Sequence, residues 1–167
     1  MTLTKGIFNK HKSALVTFDT KPGINDMVWI DQSNGIIYNY DNYRNTWLST
    51  SKDKLEFARK GSANGMTIPL LGDLDDVNDV YVISEPSTIT GIFCKSKSGE
   101  VGKEFHIIKN STTIFTFEYV DNELIYLDSS LNISINRLDE LSVYITKSKN
   151  AVNNTICRIE LARRLII

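Results

Sequence analysis

Nowhere in this chain is there an apolar run long enough to cross a bilayer as a helix, and Met1 to Lys12 lacks the apolar stretch of a signal segment. No membrane insertion is expected, and the protein is read as made and assembled in the cytosol. An excess of charge is missing too. The 19 basic and 20 acidic side chains leave a formal net charge of -1, with no basic stripe to neutralise phosphates, so nucleic acid is not an expected partner.

Histidine and cysteine are scarce, at two residues each. Any Ser/His/Asp or Cys/His constellation would have to use His11, in a polar N-terminal segment, or His106, which sits between Phe105 and Ile107 in a strand-like run. Neither lies in a recognisable motif, and there is no Gly-x-Ser-x-Gly elbow, Walker loop or dinucleotide glycine pattern. His106 reads as an outward-facing or hydrogen-bonded side chain. Cys94 and Cys157 each stand inside an apolar run, where free thiols behave as small core hydrophobes. A disulfide between them is the alternative, disfavoured by a reducing compartment.

The one carboxylate-rich stretch is Asp73, Asp75, Asp76, Asn78 and Asp79. Counted from Asp73, the fifth, sixth and twelfth places of a calcium loop hold Val77, Asn78 and Ser84 instead of an oxygen ligand, a glycine and a glutamate, so a solvated acidic loop is the better reading. No metal, no cofactor and no enzymatic activity are expected. A carboxylate-based depolymerase is the competing enzyme class.

What the sequence does contain is period-two alternation in short runs rich in β-branched and aromatic residues, the pattern of strands pleated over a buried face. It predicts strands over 13–19, 27–31, 35–40 and 44–50, separated by Gln32-Ser-Asn-Gly35 and Asp41-Asn-Tyr-Arg44, whose residues tolerate left-handed backbone or bond their own main chain. Residues 51–59 suit a strand better than a short helix. Gly61-Ser-Ala-Asn-Gly65, followed by Pro69, concentrates flexible residues and is read as a boundary.

Beyond it the spacing predicts eight more strands, over 80–83, 87–95, 104–109, 112–120, 123–127, 131–137, 141–146 and 155–164. Core faces follow from alternation: Leu131, Ile133 and Ile135 on one strand, Leu141, Val143 and Ile145 on the next, and Phe105, Phe115, Phe117 and Tyr119 elsewhere. Hairpin turns at Asn110 to Thr112 and Asp121-Asn122, without helical crossovers, exclude a parallel α/β fold. The expected fold is all-β, an N-terminal β-meander followed by an antiparallel jelly-roll β-sandwich. Its expected parts are residues 1–60 as extension and meander, 61–79 as linker or loop, and 80–167 as the jelly roll.

Trp29, Tyr38, Tyr40, Tyr43 and Trp47 crowd into a segment too small to bury them all. Either they glue the meander to the rest of the protein or they make an interface; an oligomer or partner interface is the preferred reading, with a carbohydrate platform as the weaker competitor.

Two stretches resemble a known family. Asp26-Met-Val-Trp29-Ile-Asp31, Tyr38-Asn-Tyr40-Asp41 and Arg44-Asn-Thr-Trp47-Leu48-Ser49 resemble a short meander of tailed-phage fibre and decoration proteins, including the head fibres of crAss-like phages. Ser87-Thr-Ile89-Thr-Gly91-Ile92, Phe105-His-Ile-Ile-Lys109-Asn110, Leu138-Asp-Glu-Leu-Ser-Val-Tyr144 and Ile156 to Leu165 resemble the jelly roll that follows it. Leu138-Asp-Glu departs from the glycine-aspartate turn of that pattern, and no coiled-coil or β-helical shaft is present. The resemblance implies a homotrimeric virion protein on the capsid or tail. Its N-terminal part would dock to the particle through Phe8, Leu15, Val16 and Phe18, with the jelly roll facing outward. A tail-fibre or baseplate module that binds a host surface glycan is the alternative.

Overall fold

The computed structural model describes residues 6–7, 14–16, 28–31, 34–70, 80–147 and 151–165. Every element in it is a strand, and no helix occurs among the described residues, so none is long and apolar enough to cross a membrane. The chain divides into two compact units, residues 1–53 with 162–167, and residues 54–161.

The first unit contains β1 (Gly6–Ile7), β2 (Ala14–Val16), β3 (Val28–Ile30), β4 (Ile37–Asp41), the start of β5 (Thr46–Ala63) and the end of β14 (Val152–Arg164). From β3 to β5 it is the expected antiparallel meander, with Trp29 opposite Tyr38 and Tyr40 opposite Trp47. β1 pairs with β2 antiparallel and β2 with β3 in parallel, so the continuous antiparallel meander runs from β3 to β5. The Asp41 to Arg44 turn is closed by its own side chains. Arg44 N donates to Asp41 Oδ1 at 2.9 Å, and the Arg44 guanidinium donates to Asp41 Oδ2 at 2.7 Å. Although burial pushes the Asp41 carboxyl up, those bonds and the Arg44 charge hold it below its ordinary value.

The second unit is a β-sandwich. Its first sheet runs in the order β5, β14, β8 (Ser87–Lys95) and β11 (Ile125–Asp128), with β12 (Ile133–Ile135) also on β8. Its second runs β10 (Thr112–Glu118), β9 (Glu104–Lys109), β13 (Glu140–Ile145) and β6 (Met66–Ile68), with β7 (Tyr81–Val82) also on β13. Phe57, Ile92, Cys94, Cys157 and Ile159 of the first sheet pack against Ile68, Phe105, Ile107, Leu141, Val143 and Ile145 of the second. Period-two alternation sets these faces, because successive side chains of a strand point to opposite sides. Phe105 stacks on Phe117 at 5.1 Å, and Phe117 on Tyr126 at 4.5 Å.

Two boundaries differ from the sequence reading. The sandwich begins at Lys54, not at residue 80, because Leu55, Phe57 and Ala63 alternate into its core along β5. Residues 61–68 are therefore not a linker. Gly61 (φ +83°) and Gly65 (φ +65°) supply left-handed backbone, and the chain turns directly from β5 into β6. The flexible composition marks the tip of a turn that carries the chain from the first sheet to the second. Asn64 in that tip accepts a 2.7 Å bond from the ammonium of Lys103, whose side chain is buried. Burial pushes Lys103 down, while the Glu100 carboxylate acts the other way. The acidic stretch 73–79 lies outside the described residues.

Candidate functional site

A groove of about 230 Å³ opens on the first sheet of the sandwich, lined by β8, β11, β14 and the residue after β11. Alternation along β14 makes it. Thr155, Cys157, Ile159 and Leu161 take the core face, which leaves Arg158 and Glu160 on the other. Gly91 of β8 forms the floor. A Cβ there would lie 3.1 Å from Asp128 O and 3.5 Å from Glu160 Oε2, so a larger residue would fill the space these groups surround. Phe93 and Leu127 give the walls apolar surface, Leu127 being 72% exposed.

The charged groups of the groove are held in place by neighbours. Arg158 Nε donates to Glu56 Oε1 at 2.7 Å, and Arg158 Nη2 pairs with the same oxygen. Asp128 Oδ1 accepts from Ser130 N and Ser130 Oγ, each at 2.7 Å. Tyr126 Oη reaches Asp128 Oδ2 at 3.4 Å, and burial together with that carboxylate pushes the Tyr126 hydroxyl up. The site sets one guanidinium and two carboxylates beside apolar walls, with Arg158 and Asp128 fixed by their neighbours. It can exchange hydrogen bonds in both directions with a polyhydroxylated ligand.

Of the aromatic candidates, Trp29, Tyr38 and Trp47 are buried and form the core of the first unit with Ile36, Tyr40 and Leu165 around them. Trp29 and Tyr38 rings lie 5.3 Å apart, and Tyr40 meets Trp47 edge-on at 5.6 Å. The interface reading is thus corrected for the three buried rings. Bulky aromatics bury more area per residue than aliphatics, and a small sheet needs that area for itself. Tyr43 alone stands out, 71% exposed, with the Arg44 guanidinium 5.4 Å above its ring. Leu15 and Val16 lie in β2, whereas Phe8 and Phe18 fall outside the described residues.

The two cysteines are free and fully buried, in the core role expected of them. Tyr119 Oη bridges Ser96 Oγ (2.9 Å) and Cys94 Sγ (3.3 Å), and Ser96 Oγ bonds Thr155 Oγ1 at 2.8 Å. Burial pushes the Tyr119 hydroxyl far above its ordinary value, and hydrogen bonding with Cys94 does the same to Cys157, so both stay protonated at neutral pH. His106 Nε2 bonds Glu104 Oε1 at 2.8 Å, with the Thr113 hydroxyl 3.4 Å from Nδ1. It is a hydrogen-bonded strand histidine. Among the described residues, no group of three or more His, Cys, Asp or Glu side chains converges as metal ligands would.

The groove residues had no signal as a site in the sequence. Alternation marks Arg158 and Glu160 as facing away from the core, but nothing in the chain says that β8, β11 and β14 are neighbours.

No protein-family model matches the chain, and neither does any curated protein. Among solved structures it is similar to dimeric latent PorU from Porphyromonas gingivalis, at 17% identity and a TM-score of 0.32, over 68% of this chain and 13% of that one. A likeness of that degree does not bear on function.

Proposed function

We propose that the chain is a non-enzymatic structural subunit of a tailed-phage particle, a short homotrimeric head fibre or decoration protein. Its N-terminal part docks to capsid or tail proteins, and its sandwich faces outward. The observation that carries this reading is the strand order. β5-β14-β8-β11 in one sheet and β6-β13-β9-β10 in the other is the order that a jelly roll, with its two intertwined Greek keys, would have, and it supports that reading of the sandwich. It follows a meander in the order the family resemblance requires. The residues that carry the resemblance also have structural work in both units: Trp29, Tyr38 and Trp47 are the core of the meander, while Asn110 and Asp139 tie two turns of the sandwich together.

Trimerisation supplies cover for apolar side chains that one copy leaves wet. Val120 is 73% exposed, and among the described residues β10 and β11 end their sheets with no further strand beside them. Light scattering on the purified chain tests the reading. The expected mass is three times 18.9 kDa at micromolar concentration. A monomer that also fails to associate with particles overturns it.

A further inference from the structure

The groove over Gly91 combines a concavity with hydrogen-bonding groups of both kinds. Arg158 turns its Nε and Nη2 toward Glu56, which fixes the guanidinium plane and leaves its Nη1 side directed away from that carboxylate. Ser130 fixes Asp128 in the same way through two bonds to Oδ1. A ligand entering the groove therefore meets groups already ordered, and the entropic cost of binding falls mainly on the ligand.

We propose that this groove binds one neutral pyranose unit of a polysaccharide. A sugar ring asks for three things at once. Its hydroxyls donate to carboxylates, here Asp128 and Glu160, and accept from a guanidinium, here Arg158. Its C–H face needs apolar surface, here Phe93 and Leu127. The carboxylates of Asp128 and Glu160 in the lining disfavour an anionic group placed against them, such as a phosphate, sulfate or uronate. A volume of about 230 Å³ falls below that of sites for drug-sized ligands and suits a single ring. The inference extends the structural reading and does not depend on the trimer.

Saturation-transfer NMR on the full chain tests it, using the methyl glycosides of glucose, galactose, mannose and N-acetylglucosamine. Transfer to at least one of them is expected, with a dissociation constant of about millimolar, ordinary for a single ring on an open groove. Gly91→Val fills the floor, and Arg158→Gln removes the charged donor. Either is expected to weaken binding by about tenfold or more, the loss that follows from deleting one charged hydrogen bond. Arg158 is 39% exposed, so Arg158→Gln keeps the fold even if the valine beside Asp128 O does not. No transfer to any of the four sugars overturns the proposal, as does binding that Arg158→Gln leaves unchanged. Light scattering on the same samples separates this outcome from the trimer: a trimer that binds none of the sugars refutes the groove alone.

Discussion

The two units solve the same problem, burying one face of a sheet, with different materials. The first relies on three aromatic side chains, Trp29, Tyr38 and Trp47, and among its described residues most side-chain bonds are local: Asn34 to Asp31, Arg44 to Asp41, Tyr40 to Asn45. The second draws a largely aliphatic core from two sheets and joins residues far apart in sequence, as in Arg158 with Glu56, Ser96 with Thr155, and Asn110 with Asp139. A sheet of few short strands offers few inward positions, so each must bury a large area. At roughly 25 cal/mol per Å² and about 200 Å² per ring, each aromatic contributes on the order of 5 kcal/mol as an upper estimate. A two-sheet sandwich has positions to spare, and no single one of them is decisive.

The comparison breaks most readily at Trp47, which is 2% exposed. Trp47→Ala and Phe105→Ala delete comparable side chains, and each is expected to cost about 3–5 kcal/mol. The consequences should differ. Hydrogen exchange should show the β4 amides of Tyr38 to Tyr40 losing protection in Trp47→Ala, because little core is left around them. In Phe105→Ala the β9 and β13 amides should remain the slowest of their unit, with only their opening free energy reduced. Equal loss of protection in both variants would mean that the first unit has support beyond its aromatics.

The next test concerns long-range ties. Asn110 takes a left-handed conformation (φ +48°) in the β9–β10 turn, where Asn is tolerated and Ala is not. Its side chain donates to Asp139 Oδ1 at 2.7 Å and accepts from Glu140 N at 2.8 Å. Asn110→Ala loses all three contributions and is expected to cost about 2 kcal/mol in urea titration. Asn34→Ala in the first unit, where both bonds are local and exposed, should cost under about 1 kcal/mol. A small effect at Asn110 would remove the distinction between local and long-range ties.

Strands were legible in the sequence because alternation and turn chemistry act locally. The runs 87–95 and 104–109 end where the structure ends β8 and β9, at residues that leave the pleat. Neighbourhood was not legible. Gly61 to Gly65 reads as a linker by composition, but whether a glycine-rich stretch links or turns depends on Leu55, Phe57 and Ile68 finding one core from either side of it. Trp29, Tyr38 and Trp47 mark a face in the sequence without saying whether it lies inside, and the structure buries all three. The groove was invisible for a further reason: its floor is the side chain that Gly91 lacks, and its rim comes from three strands well separated in the chain.

Asp139 brings pH into the same comparison. Asn136 N donates to its Oδ2 at 2.8 Å, and with Asn110 and the Lys109 ammonium this holds the carboxyl below its ordinary 3.8, against the opposing effect of burial. Above pH 3.8 the carboxyl is ionised both folded and unfolded, and its stabilisation is fully present. Below 3.8 the unfolded chain takes up the proton first, so that stabilisation is lost as pH falls through the lower folded value. Asp139→Asn is therefore expected to flatten the acid limb of stability measured by urea titration between neutral pH and pH 3. A limb as steep as in the unaltered chain would place the titrating group elsewhere.

The smallest expected effect separates the units by turn chemistry alone. Leu138 holds φ +68° and is 70% exposed, so it bears the left-handed strain of a branched side chain without the return of burial. Leu138→Gly trades about 1–2 kcal/mol of that strain for about 0.5–1 kcal/mol of added chain entropy and should stabilise by about 0.5 kcal/mol, or roughly 1–2 °C in thermal unfolding. In the first unit Asn45 holds φ +51°, but Asn tolerates this backbone and its Oδ1 accepts from Tyr40 Oη. Asn45→Gly relieves little and loses that bond, so its sign should be opposite, a destabilisation of up to about 1 kcal/mol. If both substitutions moved stability in the same direction, strain at Leu138 would not be the cause, and its side chain would have to be covered in the assembled protein, as a trimer contact would require.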